Sequence, residues 1–163
     1  YYIELILAVK NIGALVAIDS DFLNFEDYNK ISPWLIKPNI HELRSIVSVK
    51  GDSVNDIADS AHILCSSGVQ NVLTSLGGSG MVFVSNNKRI RAVVPKVDVK
   101  STVGSGDSSL AGFIIGYIKG NAAIDCVRLA AACGTACAMK DGTMLADRES
   151  ALKILDDIVL SEF

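Results

Sequence analysis

Aromatic side chains make up only 6% of this 163-residue sequence, and it holds three prolines and two histidines. Each shortage excludes something. Too few aromatics are available for a base-stacking platform. With 15 Lys and Arg against 18 Asp and Glu, the net charge is −3, and no long run of either sign supplies a basic face for nucleic acid. His41 and His62 have no partner at metal-ligand or triad spacing, which leaves them structural roles. The four cysteines, Cys65, Cys126, Cys133 and Cys137, include no C-x-x-C pair. Three of them fall at i, i+7 and i+11 of an alanine-rich stretch, one face of a helix, so reduced core thiols in a cytosolic protein are expected. The opening YYIELILAVKN carries Glu4 and Lys10, has no basic leader or cleavage site, and is too short to cross a bilayer. The first residue is Tyr rather than Met, and the chain is expected to be a piece of something longer.

Apolar residues are not in short supply. Half the sequence is hydrophobic and a fifth charged, the balance of a folded globular protein of one-domain size. Residues 1–11 read as a helix with Ile3, Leu7 and also Leu5 and Ile6 turned inward. ALVAID (14–19) and WLIKPN (34–39) are short apolar runs of the kind found in buried parallel strands. A polar, partly helical stretch with Phe22, Phe25 and Tyr28 lies between them, and IHELRSIV follows as a brief helix. Ser53 caps a clear helix over 53–67, with Ile57, Ala61, Leu64 and Cys65 at helical spacing and Gly68 as its stop. NVLTSL (71–76) is a third strand; GGSG leads into MVFV (81–84), and SNN turns that strand into RIRAVV (89–94) as a hairpin. Helices over 107–119, 122–139 and 147–160 complete the chain. Strands alternating with helices predict an α/β layered fold, a mostly parallel sheet with helices on both faces and a β-hairpin.

One stretch spends more glycine than a turn requires. STVGSGDSSLAGFIIGY (101–117) sets Gly104, Gly106 and Asp107 directly before a dense apolar run. Leu110, Phe113, Ile114 and Tyr117 on one side, and Ala111, Ile115 and Ile118 on the other, predict a helix buried along most of its length. Its first N–H groups then lack partners inside the protein, and an anion suits them, because the helix end carries partial positive charge. Glycines let successive amides converge on such a ligand. Asp107 repels an anion but can orient a hydroxyl and accept its proton, which is what phosphoryl transfer needs. A plain N-cap and glycine turn fit the same residues. No G-x-x-x-x-G-K-[ST] loop is present, and GSGDSS lacks the third glycine of a dinucleotide site.

STVGSGDSSLAGF resembles the C-terminal signature of the pfkB-type, or ribokinase-like, carbohydrate kinases. KPNIHEL (37–43) resembles that family's N-x-x-E motif, with Asn39 and Glu42 in the matching positions. VLTSLGGSGMVFV (72–84) resembles its ATP-holding strand–turn–strand, and AACGTACAMKDGT (131–143) the helix beside its adenine pocket. The nearest likeness is to the phosphosugar kinases, 1-phosphofructokinase and tagatose-6-phosphate kinase. The resemblance implies a ribokinase-like fold and transfer of the γ-phosphate of ATP to a hydroxyl of fructose 1-phosphate or tagatose 6-phosphate. It implies Asp107 as base, with the amides of Gly104, Ser105 and Gly106 as anion hole. Lys37, Ser75, Gly77 and Gly80 would join those three residues in binding ATP. Asn39 and Glu42 would act on Mg²⁺ through water. Each has a plainer alternative: a helix cap for Asn39 and Glu42, a solvated strand end for Lys37, and a tight turn for the glycines at 77, 78 and 80. Another sugar or nucleoside as acceptor, or a non-catalytic nucleotide-binding module, also remains open.

Two departures from the family pattern stand out. Ser101 stands where many relatives have an Asp that helps form a monovalent-cation site, and with Ser101 and Val103 here no potassium is expected. The family is about twice this long, and its N-terminal half carries most sugar-binding residues, a small β-sheet lid and much of the dimer contact. Residues 1–163 are therefore expected to form a single domain, the C-terminal ATP-binding and catalytic-base portion of a larger, homodimeric cytoplasmic kinase, weakly active or inactive alone. The partners implied are ATP and a small sugar phosphate, with no nucleic acid and no membrane.

Overall fold

A computed structural model describes all 163 residues. Its six strands follow chain order, β1 to β6, in one mixed sheet, and seven α-helices accompany them. The chain divides into two compact units, residues 1–76 with 82–89, and residues 77–81 with 90–163.

In the first unit, α1 (Tyr2–Asn11), β1 (Ala17–Ile18), α2 (Phe25–Ile31), β2 (Leu35–Ile36), α3 (Ile40–Ile46), α4 (Val54–Ser66), β3 (Asn71–Ser75) and β4 (Met81–Ser85) follow one another. β1 pairs with β2, and β2 with β3, all parallel. Strands so short still form because their central side chains are apolar and sealed: Leu35, Ile36, Val72 and Leu73 have no exposed surface. α4 starts at a reciprocal capping box in which Ser53 Oγ accepts from the Asp56 N–H and the Asp56 carboxylate from the Ser53 N–H. Its predicted stripe, Ile57, Ala61, Leu64 and Cys65, is buried as expected. α1 turns only Ile6 fully inward; Ile3 and Leu7 are half-buried and Leu5 is exposed. The turn after β4 closes with the Ser85 N–H donating to the Lys88 carbonyl at 2.9 Å.

The second unit holds a short 3₁₀ turn (Gly77–Ser79), β5 (Arg89–Val93), α5 (Ser105–Ile118), α6 (Ala123–Ala138), α7 (Arg148–Leu155) and β6 (Val159–Glu162). Two expectations are corrected here. The final helix ends at Leu155, and residues 159–162 form a strand antiparallel to β5, with Val159 opposite Val93 and Glu162 opposite Ile90. The Asp156–Asp157 pair interrupts the apolar period, and pairing with β5 then decides the conformation of VLSE. α5 is also less buried than its composition suggests. Its sealed residues are Ser108, Ser109, Gly112, Phe113 and Gly116, while Ile115, Tyr117 and Ile118 are exposed.

The small residues of α5 face α6 at close range. A Cβ at Gly112 would lie 2.8 Å from the Leu129 carbonyl oxygen and 2.9 Å from Cys133 Sγ. One at Gly116 would lie 3.1 Å from the Cα of Cys126. From the other side, a Cβ at Gly134 would lie 2.1 Å from Ser109 Oγ and 3.3 Å from the Ser105 carbonyl oxygen. Cys126 and Cys133 thus serve as compact knobs against glycine hollows. Gly112→Ala is expected to cost about 1–2 kcal/mol despite alanine's better helix propensity, because the clash is with backbone. Urea denaturation measures this, and an unchanged midpoint would mean that the helices are not so close.

Candidate active site

β2 ends where Lys37 and Pro38 lead into α3. Lys37 is buried, its side chain 6% exposed, and its ammonium forms an ion pair with Asp19 at 3.0 Å. Asp19 follows β1 directly, and the Lys37 N–H donates to the Ile18 carbonyl at 3.0 Å, so the parallel register sets the two side chains together. Lys37 is thus not a solvated strand end. Asn39 caps α3: its Oδ1 accepts from the N–H groups of His41 (2.8 Å) and Glu42 (3.0 Å), and Glu42 Oε2 accepts from the Asn39 N–H (2.8 Å). The two residues of the N-x-x-E motif therefore hold each other, with Glu42 Oε1 left over. Asn39 also pairs with Ser75 through a parallel bridge, and the Ser75 N–H donates to the Pro38 carbonyl at 3.0 Å. Lys37, Asn39, Glu42 and Ser75 are thereby gathered at one end of the parallel strands.

Tyr28 is buried beside them, and its hydroxyl donates to the Ser20 carbonyl at 3.3 Å. Burial, reinforced by the carboxylates of Glu42, Asp19 and Asp27 and by Tyr2, pushes its hydroxyl up to about 12. Burial pushes the Cys65 thiol to about 11, from an ordinary value of 9.0. Both folded values lie above the unfolded ones, so the folded chain keeps protons that the unfolded chain gives up. The stability these two groups contribute is therefore fully present below about pH 9 and is lost as pH rises through 11. For Cys65 alone the loss is on the order of 2 kcal/mol. Urea denaturation across that range should show it, and Cys65→Ala should flatten the slope.

In the second unit, Gly80 has φ +91° and is buried; its Cβ would lie 2.0 Å from the Ala92 carbonyl oxygen. Close packing on β5 explains this glycine. Gly77 has φ +57°, with nothing within 4 Å of a would-be Cβ. Gly104 is the N-cap of α5, with φ +77° and no side chain capping the helix. Leu145, exposed and free to shift, comes within 2.6 Å of a would-be Cβ, so the positive φ is what favours glycine here. The Ser105 N–H donates to the Thr102 carbonyl at 3.2 Å and the Ser108 N–H to the Gly104 carbonyl at 2.9 Å, while the N–H groups of Gly104, Gly106 and Asp107 have no partner. Ser105 Oγ is buried and also unpartnered. Asp107, third residue of α5, is exposed. This helix start offers uncommitted donors, partial positive charge and one carboxylate.

All four cysteines are free thiols, and burial raises those of Cys126 and Cys133 as well. No group of three or more His, Cys, Asp or Glu gathers as a metal cage, and no helix is long and apolar enough to cross a membrane. Sequence reasoning passed over Asp19. Its signal was an acid closing the apolar run ALVAI, readable only once β1 and β2 are known to be neighbours.

The family model described as pfkB family carbohydrate kinase matches residues 1–150. The chain is 36% identical over 140 residues to 1-phosphofructokinase of Borreliella burgdorferi, covering 85% of this chain and 45% of that protein. Among solved structures it resembles phosphofructokinase-2 from Escherichia coli in complex with substrates and products, with TM-score 0.87, 28% identity and coverage of 96% of this chain and 51% of that one. It also resembles ribokinase of Arabidopsis thaliana complexed with ribose and ATP, with TM-score 0.81, 28% identity and coverage of 94% and 51%. The chain spans about half the length of the curated relatives it matches.

Proposed function

The chain belongs to the pfkB family of carbohydrate kinases, and from that premise we propose that it supplies the ATP-handling and proton-accepting residues for phosphorylating a sugar phosphate. The observation that carries the reading is the start of α5. Unpartnered N–H groups of Gly104, Gly106 and Asp107, with the orphaned Ser105 Oγ, suit the oxygens of a transferring phosphoryl group. The Ser105 N–H, already bonded to Thr102, contributes less than its neighbours.

Asp107 accepts the proton of an acceptor hydroxyl. The hydroxyl oxygen forms the new bond to the γ-phosphorus while the bond from that phosphorus to its bridging oxygen breaks, and ADP leaves with that electron pair. Gly77, Gly80 and Ser75 contribute backbone and hydroxyl to the nucleotide, and Lys37 a cation to a phosphate. Mg²⁺, when bound with ATP, neutralises phosphate charge. The residues present fit an ion held mainly by phosphates and water, because Asn39 is committed to its helix cap and Glu42 keeps one carboxylate oxygen over. Fructose 1-phosphate or tagatose 6-phosphate is the proposed acceptor, and a cytoplasmic homodimer the proposed setting, consistent with four free thiols.

The test compares ATP-dependent turnover of fructose 1-phosphate, tagatose 6-phosphate, ribose and adenosine by a kinase of full family length carrying these residues. A hexose phosphate is expected to lead. Preference for adenosine or ribose overturns the acceptor, and no turnover of any overturns the kinase reading. These 163 residues alone are expected to bind ATP weakly and to transfer phosphate poorly; a robust rate from them would refute that division of labour.

A further inference from the structure

The Asp19–Lys37 pair is a burial problem with a purpose. A lysine ammonium sealed to 6% exposure is costly unless a charge answers it, and a well-packed apolar residue would fill the same place without that cost. Asp19 is the more exposed partner, its side chain at 27%. Its backbone is held from both sides. Ile18 accepts the Lys37 N–H across the parallel ladder, and the next residue, Ser20, accepts the buried Tyr28 hydroxyl. Of the ammonium's three N–H donors, the one or two engaged by a carboxylate leave at least one for another oxygen.

We infer that Asp19 is a positioning residue that fixes the Lys37 ammonium for a phosphate oxygen of ATP, an inference that rests on the reading of Lys37 as a phosphate contact. Simple charge arithmetic gives the opposite sign. A carboxylate near a polyanion repels it, so removing Asp19 would tighten ATP. If the carboxylate instead holds the only buried cation of this corner in place, removing it frees a flexible four-carbon stem and weakens ATP.

The experiment titrates the 163-residue chain with ATP and with adenosine, which has no phosphate, by NMR at nucleotide concentrations up to millimolar. Asp19→Asn, Lys37→Met, the double variant and Asp19→Glu are compared, with thermal melts as the check on folding. Asp19→Asn and Lys37→Met are each expected to weaken ATP about tenfold, the size of one charge-assisted hydrogen bond, and to leave adenosine unchanged. The double variant should be no weaker than Lys37→Met, because the two residues act as one unit. Asp19→Glu keeps the charge, and with it the fold, and should lose only about threefold. Should Asp19→Asn unfold, Asp19→Glu decides alone: unchanged or tighter ATP binding overturns the inference. If Lys37→Met weakens ATP while Asp19→Asn leaves it unchanged or tighter, the inference falls and the phosphate reading of Lys37 stands. If Lys37→Met changes nothing, that reading falls too, and an unmodified chain that does not prefer ATP to adenosine overturns the proposed function itself.

Discussion

Asp107→Asn is expected to remove phosphoryl transfer while ATP binding stays level or tightens. Asparagine matches aspartate in shape, and residue 107 is exposed, so no core is disturbed. The helix loses one favourable charge from its first turn, at a cost of about 0.3–1 kcal/mol. A nucleotide bound as proposed loses a repulsive neighbour, which favours affinity. On the proposed reading asparagine cannot take the acceptor's proton, and positioned general bases contribute about 10²–10⁴-fold to rate. Single-turnover transfer from labelled ATP, with calorimetric titration of the same variant, separates the two effects in a kinase of full family length carrying these residues. A variant that transfers phosphate at the parent rate would end Asp107's assignment as base. One that changes only in affinity would favour a binding module.

The largest effect on stability is expected at Gly80. Alanine there must adopt φ +91°, for which L-residues pay about 1–2 kcal/mol. Its methyl would also lie 2.0 Å from the Ala92 carbonyl oxygen and 3.2 Å from the Cα of Val93, so a paired strand has to move. The combined loss is expected at about 4 kcal/mol, in the range reserved for exceptional sites. Gly77 is the control three residues away, at φ +57° with open space, where alanine should cost about 1 kcal/mol. Equal losses at the two positions, measured by urea denaturation, would show that backbone conformation alone governs this turn.

Much of this was legible in the sequence because short-range rules sufficed. Ser53 and the Ile57–Cys65 stripe defined α4, and SNN marked the turn between β4 and β5. The motif glycines were found by spacing, although Gly80 turns out to have a packing reason of its own. The failures share a cause. α5 reads as apolar on all sides, yet it hides its serines and glycines and exposes Ile115 and Ile118, because small residues let α6 approach and large ones do not. β6 depends on β5, some seventy residues earlier, and no local propensity announces that partner. Asp19 likewise acquires meaning only from a strand-to-strand register.

The glycine-and-cysteine seam between α5 and α6 bears on how an anion would be received. Gly134 abuts the start of α5, where a would-be Cβ would meet Ser109 Oγ and the Ser105 carbonyl oxygen. A helix end packed this closely leaves its dipoles little room to swing toward an arriving charge. On the proposed reading its field is set during folding, which spares phosphoryl transfer part of the reorganisation that water would undergo.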